Sequence, residues 1–181
     1  MSLRIGMDIG GTKTLLLAAE GDAILAHRKL PHNGRISPEE IASDAIAGLD
    51  ALLSELGRTR DDIAQLGAGV PGSVADGVVL CAPNLGWENV DLGGMLRREF
   101  GREVPILQDT RAAALGEYTM GAGKGARLLL CVTLGTGIGC GIVADGKILD
   151  GGLGCAGEIG HFPAGDEGRR CGCGGVDCME L

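Results

Sequence analysis

With 181 residues the chain can form one ordinary domain or two small ones, and it is long enough to bury a real core. A hydrophobic share of 45% with 22% charged residues describes a soluble globular chain, and a net charge of −8 with a pI near 4.8 leaves no basic surface for nucleic acid. Trp87, Tyr118, Phe100 and Phe162 are too few aromatics to stack bases, and the 34 glycines lie scattered through apolar runs without a collagen period.

Residues 1–8 carry no charged leader ahead of an apolar core, and no uncharged apolar run approaches the ~18 residues of a membrane span. The chain is therefore expected to be cytoplasmic, without a membrane partner. Residues 4–9 alternate into a short strand, Gly10-Gly11 turns it, and residues 13–19 supply a second strand. Glu20-Gly21-Asp22 reads as a hairpin turn into a third strand over 23–29. Ser37-Pro38-Glu39-Glu40 is a helix start, with Ser37 as N-cap and Glu40 closing a capping box. Ile41, Ala45, Leu49, Leu52, Leu53 and Leu56 recur at helical spacing up to Gly57, which predicts an amphipathic helix of about five turns. A buried strand over 63–70 follows, then a strand over 78–81, a loop over 82–87 and a helix over 92–100 stopped by Gly101. A strand over 104–108 runs into an alanine-rich helix through Tyr118.

The glycine-rich stretch 120–125 is read as a lobe boundary, so residues 1–119 and 120–181 are expected to form two lobes. Strands over 128–134, 138–144 and 147–149, with turns at Gly135-Thr136-Gly137 and Asp145-Gly146, repeat the N-terminal order. Gly10 and Gly135 stand 125 positions apart, as do Gly21 and Gly146, which implies an internal repeat; coincidence among abundant glycines is the alternative.

Chemistry concentrates in three places. Asp8-Ile9-Gly10-Gly11-Thr12-Lys13 sets a carboxylate at a strand end beside a turn whose backbone N–H groups can converge on phosphate oxygens. Thr12 adds a hydroxyl, Lys13 a charge, and Asp8 could hold Mg²⁺ through water. Gly135, Thr136 and Gly137 make a second such turn. Neither is a Walker A loop, and a plain hairpin is the alternative for each; two in register on opposite lobes suggest a nucleotide held in the cleft between them. Asp109 stands at a strand end ahead of a helix, where it can act as a general base or simply cap the helix at Thr110. Last, His161, Cys171, Cys173 and Cys178 supply one imidazole and three thiols, a complete tetrahedral shell for structural zinc. Unliganded thiols or a Cys171–Cys178 disulfide are the alternatives. Cys81, Cys131, Cys140 and Cys155 sit among apolar or small residues and read as buried reduced thiols. Glu158, His161 and Glu180 border the metal loop and suit sugar hydroxyls, although a solvated loop face explains them as well.

D-I-G-G-T-K at 8–13, G-V-P-G at 69–72, A-P-N-L-G-W at 82–87, D-T-R-A-A-A-L-G-E at 109–117, T-L-G-T-G-I-G at 133–139, and G-E-I-G-H with C-G-C-G-G-V-D-C-M-E closely resemble the ROK (repressor, open reading frame, kinase) family, in the family's order. The resemblance implies an α/β, actin-like, ribonuclease-H-like two-lobed kinase that phosphorylates a hexose or N-acetylhexosamine with MgATP. Asp109 then matches the catalytic base. Asn84, Glu158, His161 and Glu180 match sugar contacts. Asp8, Gly10, Gly11, Thr12, Gly135, Thr136 and Gly137 match phosphate and Mg²⁺ contacts, while His161 and the three cysteines match the zinc shell. The family's dimers imply a homodimer. Two positions depart: Gln108 stands where the family usually has Asn beside the base, and Arg111 where it usually has a second Asn. Family members also continue well beyond residue 181, so an incomplete second lobe is expected.

Overall fold

A computed structural model describes residues 2–32, 37–152 and 154–181. It divides into two compact units, residues 1–108 and 109–181. The division falls ahead of the predicted boundary at 120–125, because the helix after Gln108 packs on the strands of the second unit.

In the first unit, β1 (Leu3–Ile9), β2 (Lys13–Glu20) and β3 (Ala23–Pro31) form an antiparallel meander. β4 (Ile63–Val70) and β8 (Ile106–Gln108) add in parallel, giving the order β3-β2-β1-β4-β8. Between β3 and β4 lies α1 (Pro38–Glu55). Ser37 accepts the Glu40 N–H as N-cap, but the reciprocal carboxylate comes from Glu39, which accepts from the Ser37 hydroxyl at 2.8 Å, and not from the expected Glu40. At the other end Gly57 is left-handed, and Arg58 donates back to the Leu53 carbonyl at 2.9 Å. The helix buries Ile41, Ala45, Leu49, Leu52 and Leu53 against Leu3, Ile5, Met7, Ile9 and Leu16 of the sheet.

β5 (Ser73–Ala75), β6 (Val78–Ala82) and β7 (Trp87–Val90) form a small antiparallel sheet, and α2 (Leu92–Phe100) leads into β8. The residues of β6 and α2 predict these elements; those of β5 and β7 do not. Each is too short to declare a period of its own, and pairing with β6 is what makes it a strand.

The second unit places α3 (Asp109–Thr119) on one face of an antiparallel sheet of β9 (Leu128–Leu134), β10 (Ile138–Ala144) and β11 (Lys147–Ile148). The approach is close: a Cβ on Gly141 would lie 2.5 Å from both the Ala114 Cβ and the Thr110 carbonyl oxygen. Only a glycine lets helix and strand meet there.

β9 repeats β1 at the predicted offset, but the repeat slips by one residue after the first turn. Residues 10–13 lie between the last pair of the first hairpin, Ile9↔Thr14, whereas only residues 135–137 lie between Leu134↔Ile138. In the next hairpins Glu20 pairs with Ala23 and Ala144 with Lys147, so the counterpart of Gly21 is Asp145, itself left-handed at φ +46, and not Gly146.

Of the thiols expected inside, Cys140 is buried and Cys131 half-buried, while Cys81 and Cys155 are exposed. Cys81 lies on β6, the middle strand of its sheet, between Ser73 and Glu88, and Cys155 lies in the loop ahead of Glu158. Among the described residues no helix is long and apolar enough to cross a membrane.

Candidate functional site

Each unit carries its own share of the predicted residues. In the first, β1 delivers Asp8 to the end of the sheet, where Asp8 pairs with Gly69 of parallel β4. Crowding by protein atoms pushes the Asp8 carboxyl above its usual range, and Lys13 pulls it part of the way back. The turn closes with the Gly10 N–H donating to the Lys13 carbonyl at 2.9 Å. Gly11 abuts the backbone of Asn84, whose carbonyl oxygen would stand 3.1 Å from a Cβ placed there. Asn84 sits in a 3-10 turn, Pro83–Leu85, ended by left-handed Gly86. The phosphate-type turn and one expected sugar contact are thus neighbours. Gln108 ends β8, 8% exposed.

His32 carries no local motif that would single it out. Its N–H donates to the Thr12 carbonyl at 2.9 Å, and its buried imidazole Nε2 shares a 2.9 Å hydrogen bond with the Thr14 hydroxyl. One residue after β3 therefore braces the phosphate-type turn at two points.

In the second unit Asp109 opens α3, and its Oδ1 accepts the N–H of the next residue, Thr110, at 2.7 Å. Arg111, two residues further and 3% exposed, receives an account that its sequence position lacked. Its guanidinium donates to Asp150 Oδ1 at 3.0 Å and to the carbonyl oxygens of Gly154 and Ala156. It ties α3 to the loop that leads into Glu158.

That loop continues through a 3-10 turn, Ile159–His161, into the metal-type segment. His161, Cys171, Cys173 and Cys178 place one ligand atom each within 4.8 Å of all the others. Cys173 and Cys178 Sγ are 3.7 Å apart, as are Cys171 Sγ and His161 Nδ1. Tetrahedral zinc, with Zn–S near 2.3 Å and Zn–N near 2.0 Å, separates its ligands by about 3.5 to 3.8 Å. The bridges Pro163↔Cys178 and Arg170↔Val176, with the Cys171 N–H donating to Gly175 O at 2.9 Å, fold the segment back on itself. Burial, then hydrogen bonding from the neighbouring thiols, pushes Cys178 up to about 12, while the Gly175 N–H draws Cys173 down. Sulfurs this close resist joint ionisation until a cation stands among them, so the donor set fits a metal.

His161 turns Nδ1 toward this cluster and Nε2 toward Glu158, whose Oε2 is 3.7 Å away. Glu180, expected at a sugar, lies against the metal cluster: Oε1 is 3.1 Å from Cys171 Sγ and 3.5 Å from His161 Nδ1. It also presses on the second glycine turn, where a Cβ on Gly137 would collide with Oε2. That turn is closed by Gly135 N–H donating to Gly137 O at 3.0 Å. Glu158, His161, Glu180, Gly137 and the three thiols are therefore brought together, with Thr136 exposed at the turn.

The sequence profile of the ROK family matches residues 4–181. Over 181 residues the chain is 39% identical to a glucokinase of Halalkalibacterium halodurans, covering 97% of this chain and 54% of that protein. It is 29% identical to a xylose repressor of Bacillus subtilis over 98% of this chain and 46% of the repressor. Among solved structures, a ROK glucokinase of Streptomyces griseus in complex with glucose and AMPPNP superposes with a TM-score of 0.85 at 37% identity, over 99% of this chain and 56% of that one. The chain spans about half the length of the curated relatives it matches. Its α/β fold is that of the actin-like, ribonuclease-H-like ROK kinases, with the second lobe represented only in part, and the chain belongs to the ROK family.

Proposed function

We propose that the protein is an ATP-dependent kinase of a hexose or N-acetylhexosamine. The observation that carries this reading is the likeness, over nearly the whole chain, to a glucokinase solved with glucose and an ATP analogue. In this reading Asp109 accepts the proton of the attacking sugar hydroxyl. Asn84, Gln108, Glu158, His161 and Glu180 hold the remaining hydroxyls. Gln108 keeps the amide chemistry of the family's Asn on a longer arm. The backbone N–H groups of Gly10, Gly11, Gly135 and Gly137, with Thr12, Lys13 and Thr136, neutralise nucleotide phosphates, and Asp8 holds Mg²⁺ through water.

His161, Cys171, Cys173 and Cys178 would hold zinc, which supplies a fixed fold for the loop and no open position for water. The Nδ1-to-metal, Nε2-outward setting of His161 then orients its free nitrogen toward substrate. A cytoplasmic homodimer completes the proposal.

The test is ADP release with Mg²⁺, ATP and a hexose panel, measured on the full-length gene product. Sugar-dependent turnover is expected, and Asp109→Asn is expected to lower kcat by about 10²–10⁴-fold while sugar binding survives. No turnover with any hexose, or turnover indifferent to Asp109→Asn, overturns the reading. A second reading, a sugar-sensing regulator, is favoured by the xylose repressors that match the same residues. Sugar binding without ADP release would select it.

A further inference from the structure

Asp177 is 7% exposed and lies in the left-handed region at φ +52, a conformation that side chains other than glycine rarely adopt. All four of its polar groups are engaged within the metal loop. Oδ1 accepts the Arg169 N–H at 2.8 Å and Oδ2 accepts the Gly168 N–H at 2.9 Å. Its own N–H donates to Arg169 O at 2.8 Å, and its carbonyl accepts from Ala164 N–H at 2.8 Å.

These bonds join three limbs of chain. Ala164 follows His161 and Phe162, Arg169 precedes Cys171, and Asp177 itself adjoins Cys178. Every ligand of the cluster thus lies one to four residues along the chain from a residue hydrogen-bonded to Asp177 or from Asp177 itself. The hydrogen bonds require no ion, so they can hold the limbs together before one arrives.

We infer that Asp177 is a positioning residue that pre-forms the metal loop, so that His161, Cys171, Cys173 and Cys178 meet the ion already converged. The inference rests on the reading of those four residues as a metal site. An unbraced loop must be ordered at the moment of binding, and that ordering is subtracted from affinity. Partners behind metal ligands typically change metal affinity by about 10–100-fold when removed.

A purely conformational account of Asp177 makes the opposite forecast. If its position merely tolerates a left-handed residue, glycine serves at least as well, because it adopts φ +52 without steric penalty. Asp177→Gly keeps the backbone and removes the carboxylate, and Asp177→Asn keeps one accepting oxygen and tolerates the same backbone.

The experiment measures Zn²⁺ affinity of the reduced chain by competition with a chromogenic chelator, and titrates Co²⁺ to read the d–d absorption of tetrahedral thiolate coordination. Expected are binding of one Zn²⁺ by the parent chain, affinity lowered about 10–100-fold in Asp177→Gly with weakened or red-shifted d–d bands, and an intermediate loss in Asp177→Asn. Equal or tighter binding by Asp177→Gly with unchanged bands overturns the inference and leaves the metal reading intact. Failure of the parent chain to bind either ion overturns the metal reading itself. Should Asp177→Gly not fold, Asp177→Asn decides alone: affinity and bands equal to the parent's overturn the inference.

Discussion

Leu3, Ile5, Met7 and Ile9 on β1 and Leu128, Leu130, Val132 and Leu134 on β9 hold matching places in the repeat, yet their surroundings are opposite. The first four are 1%, 4%, 3% and 0% exposed, the second four 58%, 57%, 51% and 79%. On the first sheet α1 lies over this face: Leu16, the cross-strand partner of Met7, reaches Gly48 in mid-helix. On the second sheet α3 takes the other face, against Gly139 and Gly141, and the β9 side chains of the leucine face stay exposed, although Cys140, opposite Val132 on β10, is buried. A two-residue alternation states that one side of a strand is apolar; which helix arrives, and on which side, is decided elsewhere in the chain.

Breaking the two faces separately tests this contrast. Ile5→Ala removes buried methylene groups beneath α1 and should lower stability by about 2–4 kcal/mol. Trp87, the only tryptophan and buried in the first unit, reports that loss in urea. Leu130→Ala should change stability by no more than about 0.5 kcal/mol by far-ultraviolet circular dichroism, since little is removed from contact. Equal losses would abolish the distinction.

A smaller effect sharpens the other side of the comparison. Gly141→Ala inserts a Cβ where Ala114 and Thr110 already stand 2.5 Å away and should destabilise the second unit by about 1–3 kcal/mol through overpacking. A neutral result by thermal unfolding would mean that α3 is not seated on β10.

The smallest effect concerns Asp8. Its pKa is raised on folding, so the native state holds the proton more tightly than the unfolded chain does. Ionised Asp8 therefore subtracts from stability above its native pKa, and the penalty fades as pH falls through that value and is gone below the unfolded one. Asp8→Asn should raise the melting temperature slightly at neutral pH, with the gain vanishing in acid. A gain that grows in acid would reverse the assigned cause.

What could be read from the residues alone follows from range. Ser37 at the start of α1, Gly101 after α2, and the hairpin signals of β2–β3 and β10–β11 act within a few positions, and each is found where expected. The metal cluster was legible because Cys171, Cys173 and Cys178 are near in sequence and chemically rare. Arg111 was not: its partners lie 39 to 45 residues away, two of them backbone carbonyls that carry no residue signature. Asp177 escaped because it works through peptide groups, and His32 because its partners are a peptide carbonyl and a threonine 18 residues away.

The one-residue difference between the Gly10 and Gly135 turns bears on how such paired hairpins can diverge. An insertion or deletion within β2 or β10 would turn every following side chain to the opposite face of its sheet. At the apex it alters nothing downstream, which is why Leu16 and Cys140 still face the same way in their hairpins although their sequence offset differs from that of the preceding strands. The apex is thus a place where the two copies can change length independently, and under the proposed function it is where each would meet a phosphate. A change of length confined to a turn leaves the architecture beneath it untouched.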